Sequence, residues 1–240
     1  MSRGRPGSAA VVAAAWLAGS IPFSNIAAKF RANTDLRSVG SGTVSGTALY
    51  QVAGFGPLAI AGVCDVAKGG VGPLLAGPRD RPGLAAVAAA AGVAGHNWSP
   101  WLRGAGGRGI SVAMGGLAGA AWPGTVVLAA GLAAGRLARQ TGLGGFVADV
   151  ALVPVLAATQ GRRGALAGAA VAVPLLAKRI VGNRPPAERT ASVYLHRLLY
   201  DCDPGERGAD APTDSDVVAG TESGPEPEST AEPAEQEAAR

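Results

Sequence analysis

A glycine- and hydroxyl-rich stretch between two long apolar segments is the first place where this sequence offers chemistry. Residues 39–47 read Val-Gly-Ser-Gly-Thr-Val-Ser-Gly-Thr. Backbone N–H groups in such a loop can converge on an anion, and the serine and threonine hydroxyls can add donors. The basic residues Lys29, Arg31 and Arg37 lie on its approach. The stretch therefore predicts a phosphate-binding loop, with a plain connector between helices as the alternative.

A second glycine-rich cluster carries a cation among its glycines. Residues 104–109 read Gly-Ala-Gly-Gly-Arg-Gly and follow the segment that ends near His96. A guanidinium can hold a phosphate through two parallel hydrogen bonds, so Arg108 is a candidate phosphate ligand, with a membrane-surface anchor as the alternative. His96 is a candidate general base, although a histidine at the end of a span also serves as an interfacial hydrogen-bonding group.

The composition indicates a membrane protein built from helices. Charged residues make up 16% of the 240 residues, below the roughly 25% usual in soluble domains, and the mean hydropathy is +0.24. Long apolar blocks alternate with short polar joints, which predicts an all-α polytopic bundle of six to seven transmembrane helices. The predicted spans are residues 8–28, 48–76, 84–102, 110–135 (one kinked helix or a hairpin of two), 142–160 and 164–181.

Charge is distributed unevenly along the chain. Residues 1–202 hold 19 Lys/Arg and 6 Asp/Glu, a balance of +13, whereas residues 203–240 hold 2 and 11, a balance of −9. The basic residues lie at the ends of apolar segments, where the positive-inside effect places them, so nucleic acid is not an expected partner. Residues 1–202 are expected to form the transmembrane domain and residues 203–240 a disordered acidic tail. Either number of spans puts both glycine-rich stretches on one side of the membrane.

Ionisable residues also lie inside the predicted spans. Asp65 and Lys68 are about one helical turn apart and can pair, and Asp149 is expected to meet a polar group of a neighbouring helix. Such residues are costly inside a membrane and point to function, which leaves a small-molecule transporter as an alternative. A transporter of this kind is expected to contain internal repeats, whereas the motifs of this sequence occur once each.

These motifs resemble those of the bacterial acyl-phosphate:glycerol-3-phosphate acyltransferase family. The resemblance covers residues 15–185 and ends before the acidic tail. The spacing from His96 to the basic residue of the second glycine cluster is that of the family. The matching residues are Gly19-Ser20-Ile21-Pro22-Phe23, Lys29, Asp35-Leu36-Arg37, Val39-Gly40-Ser41-Gly42, Thr47, Asp65-x-x-Lys68-Gly69, Gly95-His96 and Gly106-Gly107-Arg108-Gly109.

The resemblance implies an integral membrane enzyme with about seven spans. Such an enzyme moves a fatty acyl group from acyl-phosphate to the 1-hydroxyl of glycerol 3-phosphate and produces lysophosphatidate for phospholipid synthesis. It requires no metal and no cofactor, and no obligate protein partner is evident. Its expected partners are the two substrates and membrane lipids. It is expected in the plasma membrane, with several passes and a cytosolic active face.

The resemblance also assigns roles to single residues. Ser41, Arg108 and His96 are expected to carry the reaction. Because both substrates carry phosphate, the site has to hold two anions close together, and a substrate phosphate oxygen can accept the hydroxyl proton. The residues expected to bind substrate are Ser20, Arg37, Gly40, Gly42, Thr43, Thr47, Lys68, Gly106, Gly107 and Asn183.

The sequence departs from the family pattern within its motifs. The arginine lost at position 51 matters most, since it helps to bind glycerol 3-phosphate in the family. Lys178, Arg179 and Arg184 can supply part of the lost charge. Either other residues of this chain bind the substrates, or the chain is a divergent, non-catalytic relative that scaffolds partners through its tail. The replacements are Thr43 and Ala48 for asparagine, Gln51 for arginine, Ala105 for lysine and Ile180 for histidine.

Overall fold

The structure, a computed structural model, describes residues 6–40, 42–186 and 188–205. Within these ranges the regular structure is helical and contains no strand. The predicted loop residue Ser41 and the predicted acidic tail beyond residue 205 lie outside the described residues. The helices are α1 Ser8–Ser20, α2 Phe23–Ala32, α3 Gly46–Ala53, α4 Phe55–Ala76, α5 Pro82–Asn97, α6 Ile110–Ala120, α7 Trp122–Leu137, α8 Thr141–Val181 and α9 Ala191–Tyr200, with 3₁₀ turns at Leu36–Ser38 and Pro100–Leu102.

Helix breaks divide several of the predicted spans. The first is interrupted at Pro22, which lacks an N–H and ends the helix before it. The prediction of a continuous second span over residues 48–76 is wrong, because Gly54 adopts φ 75° and separates α3 from α4. The block at 110–135 forms two helices, and the Thr125 hydroxyl donates to the Met114 carbonyl across them, so they form a hairpin.

Helix α8 consists of two arms that fold back on each other. Gly161 has φ 65° and ψ −152°, which is not helical, and it separates residues 141–160 from residues 162–181. A Cβ on Gly168 would lie 2.9 Å from the Leu152 carbonyl oxygen, so glycine at this position lets the arms approach closely. Among the described residues, three helical stretches are long and apolar enough to cross a membrane: Ser8–Ala32, Phe55–Ala76 and Thr141–Val181. The figure of about seven crossings stays a prediction.

Small residues bring the central helices into backbone contact. A Cβ on Gly19 of α1 would overlap the Gly92 carbonyl of α5, and a Cβ on Gly69 of α4 would overlap the Val112 carbonyl of α6. Helices in a membrane associate through such close contacts, because apolar burial gives them little drive. These contacts hold α1 against α5 and α4 against α6.

Candidate functional site

The side chain of Asn183 joins the two glycine-rich stretches. Its Nδ2 donates to the Gly42 carbonyl at 3.0 Å and to the Gly106 carbonyl at 2.8 Å, while its Oδ1 accepts from the Gly106 N–H at 3.1 Å. The Val44 N–H adds a direct bond to the Gly106 carbonyl at 3.2 Å. These contacts confirm that the loop around residue 42 and the cluster at 104–109 meet at one end of the bundle.

Arg108 is surrounded by oxygen atoms. Its guanidinium donates to the Lys178 carbonyl at 3.2 Å, to the Thr43 hydroxyl at 3.3 Å and to the Asp201 carbonyl at 2.9 Å. Its Nε also lies 2.9 Å from Asp201 Oδ2, and its side chain is only 15% exposed. The cation that was predicted to hold a phosphate thus has a carboxylate of the same chain against it.

A second cation lies beside this arginine. Lys178 is fully buried, and its Nζ donates to Asn183 Oδ1 at 2.7 Å while lying 5.4 Å from the centre of the Trp98 ring. The prediction that Lys178 supplies charge near the site therefore has a geometric basis. Arg179 behaves differently, because its Nε pairs with Asp149 at 2.9 Å between the arms of α8. That pair confirms the polar partner predicted for Asp149.

The backbone amides are allocated unequally between the two stretches. The Gly42 N–H donates to the Val39 carbonyl and the Val44 N–H donates to the Gly106 carbonyl, so both amides of the first loop are already hydrogen-bonded. Within the described part of the chain, the amides of Gly107, Arg108 and Gly109 donate to no protein group. They precede the N-terminus of α6, where free N–H groups and the helix dipole favour an anion. The second cluster is therefore the better anion cradle.

His96, Lys68 and Asp65 form a buried chain of contacts at the edge of this cradle. Lys68 Nζ lies 2.8 Å from Asp65 Oδ1 and 3.0 Å from His96 Nδ1, and it also donates to the Ile21 carbonyl. The predicted Asp65–Lys68 pair is confirmed. A Cβ on Gly107 would overlap His96 Nε2, so the ring nitrogen lies directly against the second glycine cluster.

The approach to the first loop is held by arginines. Arg37 donates to both Asp35 oxygens, at 3.0 and 2.7 Å, and these bonds hold the pKa of Asp35 well below its usual range. Arg184 donates to the carbonyls of Gly40 and Arg37 at 3.0 and 3.2 Å. Arg37 is thus already neutralised, and Arg184 acts on the shape of the loop.

Two of the predicted substrate-binding residues have other surroundings. The Ser20 hydroxyl donates to the Leu17 carbonyl at 2.7 Å and accepts from Trp101 Nε1 at 2.9 Å, which stabilises the break between α1 and α2. Thr47 is exposed in the first turn of α3, which Ser45 caps. Within the described residues, neither side chain hydrogen-bonds to Asn183 or Arg108, so their predicted roles rest on the motif alone.

Sequence reasoning missed the C-terminal helix as part of this site. Arg197 of α9 donates to the carbonyls of Val181 and Arg184. It also pairs with Asp203, and the hydrogen bonds between the two side chains lower the pKa of Asp203. This clamp holds the end of α9 over the cradle and places Asp201 on Arg108. The only available signal was an acidic residue directly after a helix with basic residues, which also fits an ordinary surface.

Comparison with known proteins decides the family. The family model described as glycerol-3-phosphate acyltransferase matches residues 9–184. The chain belongs to this family. The glycerol-3-phosphate acyltransferase of Synechococcus sp. (strain CC9902) is 34% identical over 204 residues, which are 82% of this chain and 96% of that relative. The relative of the same name from Rhodopseudomonas palustris (strain HaA2) is 35% identical over 134 residues, 55% of this chain and 68% of its own length.

Solved structures of the glycerol-3-phosphate acyltransferase family share the fold. The glycerol 3-phosphate form of PlsY, an integral membrane glycerol 3-phosphate acyltransferase, superimposes with a TM-score of 0.64 at 22% identity, covering 72% of this chain and 88% of that one. Its lysophosphatidic acid form gives a TM-score of 0.62 at 19% identity. The predicted all-helical membrane fold is confirmed. The family match ends at residue 184, so α9 and Asp201 lie after it.

Proposed function

We propose that this chain transfers a fatty acyl group from acyl-phosphate to the 1-hydroxyl of glycerol 3-phosphate and releases lysophosphatidate and inorganic phosphate. Membership of the glycerol-3-phosphate acyltransferase family supports the acceptor and the reaction class. The observation that carries the proposal is the convergence of Arg108, Lys178 and the free amides of the second glycine cluster on one end of the bundle. Two anionic substrates need such a concentration of positive charge.

Acyl-phosphate is the donor that this arrangement suits. The amides before α6 and the Arg108 guanidinium offer one phosphate group several donors, and Lys178 offers a compact charge for a second one. The Gly42 loop, with the Thr43 hydroxyl on Arg108, lies on the other side of the guanidinium. Family motif residues Arg37 and Gly40 shape this loop through Asp35 and Arg184.

The reaction needs positioning more than a strong base. The 1-hydroxyl oxygen attacks the acyl carbonyl carbon, the bond from that carbon to the phosphate oxygen breaks, and the hydroxyl proton passes to a phosphate oxygen. Phosphate leaves easily, so holding the reactants in contact and stabilising negative charge supply the acceleration. The charge lost with glutamine at position 51 is made up by Lys178 and by Arg184 at the loop.

The acyl chain lies in the membrane while the phosphates stay at its surface. The long apolar helices place the bundle in a bilayer, and the loops that carry the basic glycine cluster belong on the positive, cytosolic side of the plasma membrane by the charge rule. The acyl donor then enters from the lipid, and glycerol 3-phosphate enters from the cytosol.

Phosphate release from an acyl-phosphate by the purified protein, with and without glycerol 3-phosphate, tests the proposal. We expect glycerol 3-phosphate to stimulate release and lysophosphatidate to form in equal amount. Arg108→Gln should lower the rate roughly 100-fold or more. Arg103→Gln is the matched control, because Arg103 is an exposed arginine of the preceding loop. No release by folded protein would refute the enzyme, and release without stimulation would refute the acceptor.

A further inference from the structure

We propose that His96 acts as a hydrogen-bond donor through Nε2–H and not as a base, and that Lys68 and Asp65 are the positioning residues that fix this tautomer. The reaction in which it acts is the one proposed above, but the tautomer itself does not depend on that proposal. A charged lysine has three N–H donors and no lone pair.

The surroundings of Lys68 keep it charged. Its Nζ lies 2.8 Å from a carboxylate oxygen of Asp65 and 5.4 Å from the centre of the Phe23 ring, and both contacts favour a cation. The side chains of Lys68 and Asp65 are only 4% and 8% exposed, so the pair is shielded from water. Separating the charges at this depth would be costly, because an unpaired charge would be left buried.

A charged Lys68 dictates where the proton of His96 lies. Its Nζ is 3.0 Å from His96 Nδ1, and since the ammonium can only donate, Nδ1 has to accept. A neutral imidazole carries one proton, so that proton is on Nε2. A second proton on Nδ1 would bring two donors against each other. The lone pair that a general base needs is therefore already occupied by Lys68.

The Nε2–H group points at the cradle and is free to act there. A Cβ on Gly107 would overlap Nε2, which places the nitrogen against the backbone of the second glycine cluster. In the part of the chain that the structure describes, Nε2 makes no hydrogen bond. The group is thus a donor without an acceptor beside the free amides of Gly107 and Arg108. An oxygen that gains negative charge during acyl transfer would accept the hydrogen bond from this N–H group.

The tautomer can be measured directly. Protein labelled with ¹⁵N only at histidine gives signals from just two residues, His96 and His196. The signals that disappear in His96→Gln belong to His96. We expect the wild-type protein to show His96 with its proton on Nε2 and with Nδ1 in the acceptor form. A proton on Nδ1, or a doubly protonated ring at neutral pH, would overturn the proposal.

Variants of the positioning residues test what sets the tautomer. In the double variant Asp65→Asn/Lys68→Met, which leaves no unpaired buried charge, His96 should lose its fixed form and show both tautomers. Lys68→Arg keeps a cationic donor and should retain the Nε2–H form. If the double variant keeps a pure Nε2–H tautomer, Lys68 does not set it, and that part of the proposal is wrong.

Activity separates a donor from a base. A glutamine at position 96 reaches as far as Nε2 with an amide N–H but cannot accept a proton at neutral pH. We therefore expect His96→Gln to keep activity within roughly tenfold of wild type, while His96→Ala falls roughly 100-fold. Equal loss in both variants, with both proteins folded, would indicate a base and contradict the proposal. Absence of activity in the wild type would refute the proposed function and leave the tautomer result standing.

Discussion

The carboxylate of Asp201 lies against the guanidinium of Arg108, with Asp201 Oδ2 2.9 Å from Arg108 Nε. The same arginine also donates to the Asp201 backbone carbonyl. Asp201 follows α9, after the region matched by the family model, whereas Arg108 lies in the glycine cluster within that region. A chain segment that follows the region matched by the family model thus supplies an anion at the position proposed for a substrate phosphate.

Removing that internal anion should strengthen substrate binding. In Asp201→Asn the amide cannot compete as a charge for Arg108, so the KM for glycerol 3-phosphate should fall roughly three- to tenfold, equivalent to about 1 kcal/mol. Steady-state kinetics at fixed acyl-phosphate measures it. Asp201→Glu keeps the charge and serves as the control. A higher KM in Asp201→Asn would mean that the carboxylate helps to bind substrate.

Asn183 should be needed for both stability and activity, because it bonds both loops at once. In Asn183→Asp the Nδ2 donor is lost, so the Gly42 carbonyl loses this partner and the Gly106 carbonyl keeps only the Val44 N–H. Each buried polar group left without a partner costs about 1–3 kcal/mol. We expect a lower midpoint of thermal unfolding in detergent and a large loss of phosphate release. Gln160→Ala, an exposed amide at the other end of the bundle, should change neither.

Some contacts of the fold and of the candidate site could be predicted from the local sequence. The pairing of Asp65 with Lys68 follows from their spacing on a helix, and the partner of Asp149 follows from the cost of burying a charge. The family motifs indicated that the Gly42 loop and Arg108 work together. These predictions succeed because the spacing of the residues, or the membrane itself, leaves few alternatives.

Other parts of the site depend on contacts that no local pattern encodes. Asp201 and Arg108 are far apart in sequence, and only the packing of α9 on α8 brings them together. The Gly106 amide is hydrogen-bonded because it donates to Asn183 Oδ1, and Asn183 lies far away in the sequence. The break at Gly54 was missed because a glycine is common inside membrane helices, and nothing in the sequence around it shows that its φ is 75°.

The buried pair between the arms of α8 should stabilise the hairpin only as a pair. Arg179 Nε lies 2.9 Å from Asp149 Oδ2, and both side chains are almost fully buried, 2% and 1% exposed. Replacing one partner leaves an uncompensated charge and should cost about 3–5 kcal/mol of unfolding free energy. The double variant Asp149→Leu/Arg179→Met should recover most of this loss.

Reversible unfolding in mixed detergent measures this difference for the wild type, the two single variants Asp149→Leu and Arg179→Met, and the double variant. A double variant as unstable as Arg179→Met alone would show that Arg179 matters through its bond to the Gly142 carbonyl and not through Asp149. Arg162→Met, an exposed arginine near the turn of the hairpin, controls for the loss of an arginine at the surface.

Gly107 should tolerate no side chain, because its missing Cβ makes room for His96. In Gly107→Ala the methyl group would overlap His96 Nε2 and lie 2.8 Å from the Val44 carbonyl oxygen, so either the imidazole or the loop has to move. Such overpacking costs about 1–3 kcal/mol and would displace the proposed donor, so phosphate release should fall at least about tenfold.

Gly62→Ala is the matched control in α4, since a Cβ there meets nothing within 4 Å. That variant should retain full activity and gain up to about 1 kcal/mol from its higher helix propensity. If Gly107→Ala matches Gly62→Ala in activity and in unfolding midpoint, His96 does not lie against the cluster in the working protein.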